Sequence, residues 1–269
     1  MKKETRVIIS ISSDIGYSLA KKWSQDGFKI YGTYREKSKK LSQLQKMDVN
    51  LIKCDLLKKV SLKKSMRKLN KIKWDVLVFA AGSQNPIGSF EKVKFDKWEN
   101  SFNINFTNQL KILHSMLPNR KKTKKKPIVI FFAGGGTNNA TINYSAYTIS
   151  KIASIKICEL LDAEIKDTRF TILGPGWVKT KLHKQTLKKK KNSGINYFKT
   201  IKHFKKNDFY PIEKVISCCD WLINSNKKLI SGRNFSAAND PWESKKISRI
   251  NRNKNYFKLR RFGNDLFLK

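Results

Sequence analysis

Acidic residues are scarce in this sequence: 20 Asp and Glu stand against 58 Lys and Arg, which gives a net charge of +38 over 269 residues. Such an excess is typical of proteins that bind nucleic acids. Here, however, the lysines are spread through almost every segment, and no zinc-finger, helix-turn-helix or RNA-binding signature accompanies them. The two densest runs, 119–127 and 187–192, are interpreted as solvated loops. The sequence therefore does not predict a nucleic-acid partner.

Cysteines, histidines and long hydrophobic runs are also few. The four cysteines and three histidines show no metal-ligand spacing, so no metal site is predicted and the cysteines are expected to be buried free thiols. No apolar run approaches the roughly 20 residues that a transmembrane helix needs. The apolar stretch after the basic N-terminus lacks a signal-peptide cleavage site. These features predict a cytoplasmic protein without a membrane span.

What the sequence does have is a regular alternation of short apolar runs with amphipathic stretches. The runs are rich in β-branched and aromatic residues, as strands buried on both faces should be. Strands are predicted at 6–11, 28–34, 49–54, 74–81, 127–133, 169–173 and 234–237. Helices are predicted between them, for example at 15–27 and 95–117. This alternation predicts an α/β fold with one doubly wound domain over 1–269, a parallel seven-stranded sheet and helices on both faces.

The first strand-to-helix turn of such a sheet normally carries glycines that let a pyrophosphate approach the backbone and the helix N-terminus. The turn here reads SISSDIG over residues 10–16, so only Gly16 remains of a three-glycine pattern. Asp14 would repel a phosphate unless its carboxylate points away, whereas Ser12 and Ser13 can donate hydrogen bonds. Taken alone, this turn is weak evidence for a nucleotide.

The end of the second predicted strand bears on the choice of nucleotide. An acid there would bind the ribose 2′-hydroxyl of NAD, but Thr33, Tyr34 and Arg35 occupy the relevant positions. Arg35 suits a 2′-phosphate through charge-assisted hydrogen bonds, the alternative being an ordinary surface arginine. NADP is therefore predicted, with NAD as the alternative.

A tyrosine four residues before a lysine is the clearest catalytic pattern. It occurs three times, as Tyr17/Lys21, Tyr147/Lys151 and Tyr210/Lys214. Only Tyr147 follows a buried strand and a glycine-rich loop, at the ligand-facing end of the predicted sheet. The four-residue spacing places Lys151 on the same helix face, where its ammonium is expected to lower the pKa of the tyrosine. Tyr147 would then protonate a carbonyl oxygen as a hydride arrives at carbon.

Over nearly its whole length the chain resembles the classical short-chain dehydrogenase/reductases, which have a Rossmann-type fold. The matching segments are SSDIG, KCDLL, FAAG, FNINF, YTISK and GPGWVKT, in the family's order and spacing. The resemblance implies that Asp55 contacts adenine, that Asn105 keeps a water for proton relay and that Lys151 also binds the nicotinamide ribose. The cofactor-binding residues that follow from it are Ser10, Ser12, Ser13, Ile15, Gly16, Arg35, Asp55, Ala81, Gly82, Tyr147, Lys151, Pro175, Gly176, Val178 and Thr180.

The family's third catalytic residue, a Ser or Thr, is not in its usual place, because counting back from Tyr147 leads to Gly134. One interpretation is that Thr137 replaces it, with flexible glycines bringing its hydroxyl to the substrate. Another is that backbone N–H groups of the loop, or Asn138, supply the hydrogen bond. A third is that catalysis is weakened or lost. Because Asn105 and the Tyr–Lys pair are retained, we expect an active enzyme, with Thr137 as the first choice for the missing residue.

The segment 181–210 is expected to form a lid over the substrate. Its positive charge and interleaved aromatic residues suit an anionic substrate, although the general lysine bias explains them equally well. The glycine triplet and the segments SGRNFSAANDPW and KLRRFGND resemble family members associated with surface-polysaccharide synthesis. A sugar or nucleotide-sugar ketone reductase is therefore the first choice. A 3-oxoacyl thioester reductase is the alternative.

The alternative from another functional class is a non-catalytic protein on the same fold that senses a cofactor or binds nucleic acid, since fold alone does not decide function. The family resemblance also implies a homodimer or homotetramer, packed through the long helices that carry Asn105 and Tyr147. The chain is expected to end in a basic tail at about 243–269.

Overall fold

The apolar runs form one parallel sheet of seven strands. The computed structural model describes residues 3–263. The strands are β1 Thr5–Ile9, β2 Lys29–Tyr34, β3 Asn50–Lys53, β4 Val76–Phe79, β5 Ile128–Phe132, β6 Arg169–Gly174 and β7 Arg233–Ser236. They lie in the order β3-β2-β1-β4-β5-β6-β7, and every neighbouring pair is parallel. The predicted fold class is confirmed, with strand boundaries that differ by a few residues.

Helices connect the strands. They are α1 Asp14–Gln25, α2 Lys39–Lys46, α3 Lys59–Leu69, α4 Phe95–Phe102, α5 Asn108–Met116, α6 Ser145–Glu164, α7 Lys181–Lys188, α8 Lys190–Ser193, α9 Ile195–Lys206, α10 Ile212–Asn224 and α11 Lys227–Ile230. The long helix predicted at 95–117 is interrupted, because a π-helical turn at Asn103–Thr107 separates α4 from α5. Such π turns often lie at functional sites. This one carries Asn105, which is buried.

The core lies on both faces of the sheet, because side chains alternate along each strand. On one face, Ile8 and the other strand residues that point to the same side pack with Trp23 of α1 and Leu222 of α10. On the other face, Val7 and its equivalents pack with Ile112 of α5 and with residues of α3 and α6. All four cysteines are buried in these layers, as predicted.

The strand order places a ligand site at one edge of this sheet. From β1 the chain winds through β2 to β3 on one side, and from β4 to β7 on the other. The winding direction therefore reverses between β1 and β4. In parallel α/β sheets the crevice outside the carboxyl ends of the strands, at this reversal, is where ligands bind.

Two segments flank the sheet beyond β6. Residues 181–210, the predicted lid, form α7, α8 and α9. The predicted basic tail forms a 3₁₀ helix at Lys245–Arg252 and then runs beside β7, where the carbonyl of Phe257 accepts the N–H of Asn234. Residues 264–269 of that tail lie outside the described residues. Within 3–263, no helix has the length and hydropathy to cross a bilayer.

Candidate active site

A cleft of about 930 Å³ lies along the carboxyl ends of the strands. Its walls come from the turn after β1, the ends of β2 and β3, the segment after β4, the loop after β5, α6 and the segment after β6. It brings together nearly every site residue predicted from the sequence, including Thr137, Tyr147 and Lys151. The two exceptions are Gly16 and Asn105, which lie behind its wall.

Tyr147 and Lys151 form a buried pair on one face of α6, with 8% and 5% of their surface exposed. The Lys151 Nζ donates to the carbonyl oxygen of Phe132 at the end of β5, over 2.9 Å, and lies 5.7 Å from the centre of the tyrosine ring. Burial raises the pKa of Tyr147 to about 12 and lowers the pKa of Lys151 to about 8. The prediction that the ammonium lowers the tyrosine pKa is wrong here, because desolvation dominates and the ammonium bonds to the backbone.

The protonation states of this pair favour proton donation. With a pKa of about 12, Tyr147 carries its proton at neutral pH. With a pKa of about 8, Lys151 is mostly an ammonium there. A neutral phenol beside a buried cation is suited to give a proton to an oxygen that gains negative charge.

The other two tyrosine–lysine pairs lie outside the cleft. The Tyr17 hydroxyl donates to Gln43 Oε1 over 2.7 Å, and the Tyr210 hydroxyl donates to the carbonyl of Ala237 over 2.6 Å. Neither tyrosine lines the cleft. The sequence-based choice of Tyr147 among the three is therefore consistent with the geometry.

Gly134, where the family would have its catalytic serine, lies directly against Tyr147. A Cβ at this position would stand 2.7 Å from the tyrosine hydroxyl oxygen and 2.8–2.9 Å from two ring carbons. Those distances are shorter than real Cβ contacts allow. A serine at residue 134 is therefore sterically incompatible with the observed position of Tyr147.

The rest of the glycine run is also held by packing. Gly136 has a φ of +97°, and a Cβ there would come within 2.5–2.7 Å of Thr148 and Thr141. Only Gly135 faces open space. The expectation that flexible glycines bring the Thr137 hydroxyl to the substrate stays a prediction. Thr137 itself is half-buried and lines the cleft, and so does Asn138, which is exposed.

The Asn105 side chain connects the π turn to the segment after β4 by hydrogen bonds. Its Oδ1 accepts the N–H of Ser83 over 2.9 Å, and its Nδ2 donates to the carbonyl of the same residue over 2.8 Å. The side chain therefore positions the backbone that follows Ala81 and Gly82, both of which line the cleft.

A polar network that the sequence did not reveal joins the predicted lid to the cleft wall. Gln185 Oε1 accepts the N–H of Gln84 over 2.8 Å, and Thr186 donates to Gln84 Oε1 over 3.0 Å. The Thr186 hydroxyl also shares a 2.8 Å hydrogen bond with the hydroxyl of Tyr144, which is buried. These partners are about 40 to 100 residues apart in sequence, so no local pattern could have paired them.

The turn after β1 keeps the shape of a phosphate-binding turn with fewer glycines. Ser10 takes a left-handed conformation with a φ of +66°, which usually favours glycine. Residue 16 has room for glycine alone, since a Cβ there would come within 2.7 Å of the Ser10 carbonyl oxygen. Ser13 caps α1 by accepting the N–H of Gly16 over 3.0 Å. The N-terminus of α1 therefore faces the cleft, as a phosphate site needs.

Asp14 does not point away from the cleft, but its charge is compensated. Its Oδ1 accepts from Lys40 Nζ over 2.9 Å, and its Oδ2 accepts the backbone N–H of Lys181 over 2.7 Å. Burial alone would raise the pKa of Asp14, but these two hydrogen bonds outweigh burial and lower it. A carboxylate in the phosphate turn thus links the turn to the first residue of α7.

Arg35 lines the cleft with an exposed guanidinium that pairs with Glu36 Oε1 over 2.9 Å. Glu36 lines the cleft as well. This acid lies one residue beyond the three positions, Thr33 to Arg35, on which the prediction of NADP was based. An exposed pair of this kind is weak and leaves both groups available to a ligand.

Comparison with known proteins agrees with the fold. The sequence model of the short chain dehydrogenase family matches residues 4–191. A solved short-chain dehydrogenase/reductase from Saccharomyces cerevisiae is 20% identical, with a TM-score of 0.75, 88% of this chain and 97% of that chain covered. A variant of the actinorhodin polyketide ketoreductase, solved with NADPH, is 17% identical, with a TM-score of 0.72 and coverages of 87% and 95%.

The aldohexose dehydrogenase of Thermoplasma acidophilum is 18% identical, with a TM-score of 0.70 and coverages of 87% and 92%. At such identities these likenesses establish the fold alone. No curated protein matches the sequence. The family match, however, spans well over half of the chain. The chain therefore belongs to the short-chain dehydrogenase/reductase family, whose members are NAD(P)-binding oxidoreductases.

Proposed function

We propose that this protein is a nicotinamide-dependent carbonyl reductase in which Tyr147 is the proton donor. The observation that carries the proposal is the buried pair of Tyr147 and Lys151, which opens into a cleft that also contains a phosphate-type turn. Both the spacing of the pair and its protonation states suit reduction of a carbonyl group.

The residues along the cleft fit a nicotinamide dinucleotide. The N-terminus of α1 suits the pyrophosphate, and Lys40 reduces the repulsion from Asp14. Asp55, which is proposed to contact adenine, lines the cleft, and so do Pro175 and Thr180, which are proposed to lie beside the nicotinamide. Arg35 supports NADP over NAD, although Glu36 beside it is a group that favours the 2′-hydroxyl of NAD.

The cofactor supplies the hydride when it is bound, and the chain's own residues manage the proton. Tyr147 donates its phenolic proton to the carbonyl oxygen of the substrate. The Lys151 ammonium, on the same face of α6, is the nearby cation that would stabilise the phenolate that remains. Asn105 holds the backbone of Ser83 in place and is proposed to support the water that returns a proton to this pair.

For the third catalytic residue we propose Thr137, which lines the same cleft. Serine at position 134 is incompatible with Tyr147, so the hydrogen bond to the substrate oxygen must come from elsewhere in the loop. Asn138 or a backbone N–H of the loop is the alternative donor. Thr137→Val keeps the shape and removes the hydroxyl. It should lower kcat about tenfold to hundredfold if Thr137 is the donor, and leave it unchanged if the backbone is.

The substrate class that we propose is a sugar or nucleotide-sugar ketone, with residues 181–210 as the lid. Similarity to an aldohexose dehydrogenase is compatible with this choice. Similarity to a polyketide ketoreductase supports a 3-oxoacyl thioester as the second candidate. Kinetics with one keto-sugar and one 3-oxoacyl thioester at equal concentrations would rank the two.

We propose self-association through α4 and α6. Phe95, Trp98 and Phe102 stack along α4 with ring centres 5.7 and 5.9 Å apart, and Phe95 is 65% exposed. Ile149 on α6 is exposed as well. An apolar surface of this kind is typical of an interface. Phe95→Glu should convert a dimer or tetramer to smaller species in light scattering, and an unchanged mass would contradict this.

The proposed function is tested by titrating the purified protein with NADPH and with NADH while following nicotinamide fluorescence. Saturable binding that favours NADPH, followed by turnover of a carbonyl substrate, is the expected result. A preference for NADH would contradict the role given to Arg35 but keep the enzyme. Binding of neither would favour the non-catalytic reading of the fold.

A further inference from the structure

A second cavity adjoins the active-site cleft on the side of α9. Six residues line both, so the two spaces are adjacent: Gly135, Gly136, Asn139, Thr141, Trp177 and Asn196. The second cavity is therefore the space next to the cleft that a longer substrate would reach past the glycine loop.

One wall of the second cavity is the lysine face of α9, formed by Lys199, Lys202 and Lys206. Their spacing of three and four residues places them on one side of the helix. None of the three forms an ion pair with a described carboxylate. Asp208 is the one acid in this wall, and its carboxylate is 3.8 Å from the Nδ1 of His203. The wall therefore carries a local positive excess whose mutual repulsion a bound anion would relieve.

The loop 134–143 contributes Gly135, Gly136, Asn139 and Thr141 to the lining of the second cavity, and it offers backbone donors. None of the N–H groups of these ten residues donates a hydrogen bond to an acceptor in residues 3–263, whereas the flanking Ala133 and Tyr144 both do. Backbone N–H groups are normally paired or aimed at a ligand or water. Concavities lined by successive free N–H groups are typical anion sites. This observation is independent of the lysine content of the chain.

Trp177 closes the end of the cavity and fixes its shape. Its ring stacks on the imidazole of His203 with centres 4.1 Å apart, and also on that of His183 at 5.0 Å. The His203 Nδ1 lies 2.8 Å from the carbonyl of Asp208, which can only accept, so this nitrogen carries the proton. The cavity thus combines stacked aromatic rings, three lysines and a loop whose N–H groups are free of protein acceptors.

We propose that this second cavity binds the phosphate or diphosphate group of a phosphorylated carbonyl substrate, between the lysine face of α9 and the loop 134–143. Three cations and several N–H donors match the charge and the oxygen count of phosphate better than those of a single carboxylate. The proposal rests on the proposed function, because it assigns the distal group of the molecule that Tyr147 reduces.

The binding test uses inorganic pyrophosphate as the probe, by calorimetry, with the protein first saturated with NADPH so that the cofactor site is filled. The variant is Lys199→Gln, Lys202→Gln and Lys206→Gln combined. The matched control removes the same charge from exposed positions of α3, with Lys63→Gln, Lys64→Gln and Lys68→Gln. We expect the α9 variant to weaken pyrophosphate binding about tenfold or more, and the control to change it less than about twofold.

Equal losses in both variants would overturn the proposal, because they would assign binding to the general positive field. No loss in either would overturn it as well. A thermal melt checks that the triple variant folds, and Lys202→Gln alone, with a loss of about threefold, is the second variant if it does not. If NADPH fails to bind, the proposed function fails, but the comparison of the two variants still tests the second cavity, because none of the six substituted lysines lines the first cleft.

The kinetic test compares dihydroxyacetone phosphate with dihydroxyacetone as substrates, with NADPH. We expect kcat/KM to favour the phosphorylated ketone by about tenfold or more in the natural sequence and in the α3 control. In the α9 variant this ratio should fall toward one. A ratio that is the same in all three proteins, or one that favours the neutral ketone, would overturn the assignment.

Discussion

The contact between Gly134 and Tyr147 makes an unusual prediction, namely that restoring the family's serine harms this enzyme. Gly134→Ser adds a Cβ and a hydroxyl, whereas Gly134→Ala adds the Cβ alone. In both, the new Cβ would begin 2.7 Å from the tyrosine hydroxyl and 2.8–2.9 Å from ring carbons. Comparing the two variants separates the steric effect from any benefit of the hydroxyl.

The size of the effect follows from the distances. Ordinary contact begins at 3.4 Å, so the phenol must move by about 0.5–0.7 Å. Because Tyr147 is buried, such overpacking should cost about 1–3 kcal/mol of stability. A displacement approaching 1 Å of a catalytic group costs up to about a hundredfold in rate. We therefore expect kcat to fall about tenfold to hundredfold in the alanine variant, and by a similar amount in the serine variant.

The assay is steady-state reduction of a carbonyl substrate with NADPH, together with chemical denaturation to measure the loss of stability. NADPH affinity serves as the control and should change little, because Gly134 lies against the tyrosine and away from the phosphate turn. If Gly134→Ser were faster than the natural protein while Gly134→Ala were slower, the hydroxyl would be catalytically useful at this position. That result would refute the view that the loop supplies the donor from another residue.

Three further predictions concern the charges around the cleft. Lys151→Met should remove turnover and raise the free energy of unfolding by about 1–3 kcal/mol at pH 7 in chemical denaturation, because the lysine is buried and is charged below its pKa of about 8. This gain should shrink from about pH 8 to about pH 10.5, where the folded lysine is already neutral and the unfolded one is still charged. A variant that is less stable at pH 7 would contradict the argument. In the natural protein, kcat for reduction should be level up to about pH 8 and fall about tenfold per unit above it, as Lys151 loses its proton; a rate that rises above pH 8 would contradict the need for the ammonium. Asp14→Asn keeps an acceptor for the Lys181 N–H but removes a charge from the phosphate turn. NADPH should therefore bind about threefold to tenfold more tightly at low salt, and the gain in affinity should be smaller at high salt. An unchanged Kd at every salt concentration would show that Lys40 already cancels the charge.

The sheet could be predicted from the sequence because its strands are buried on both faces. Runs such as IVIFF in β5 are apolar throughout, and the distance between runs leaves room for one helix. The π turn around Asn105 was not predictable, since its residues have no propensity that distinguishes them from an ordinary helix. Its cause is tertiary: the Asn105 amide is held by the backbone of Ser83, 22 residues away.

The sequence predicted which residues line the candidate site better than it predicted their hydrogen-bond partners. Family motifs point to Tyr147 and Lys151, and both residues line the cleft. The partners of Asp14 were not predictable, because Lys181 is 167 residues further along the chain. The direction of the Tyr147 pKa shift was wrong for a related reason, since a local rule about neighbouring charge does not include the burial that the whole fold imposes.

The role of Tyr147 as proton donor is tested most directly by Tyr147→Phe, with NADPH binding and carbonyl reduction measured on the same preparation. Tyr17→Phe is the matched control, since it belongs to a tyrosine–lysine pair of the same spacing outside the cleft. We predict that Tyr147→Phe binds NADPH with nearly the natural Kd and loses at least about a hundredfold in kcat, while the control keeps its activity. Full turnover by Tyr147→Phe would contradict the account.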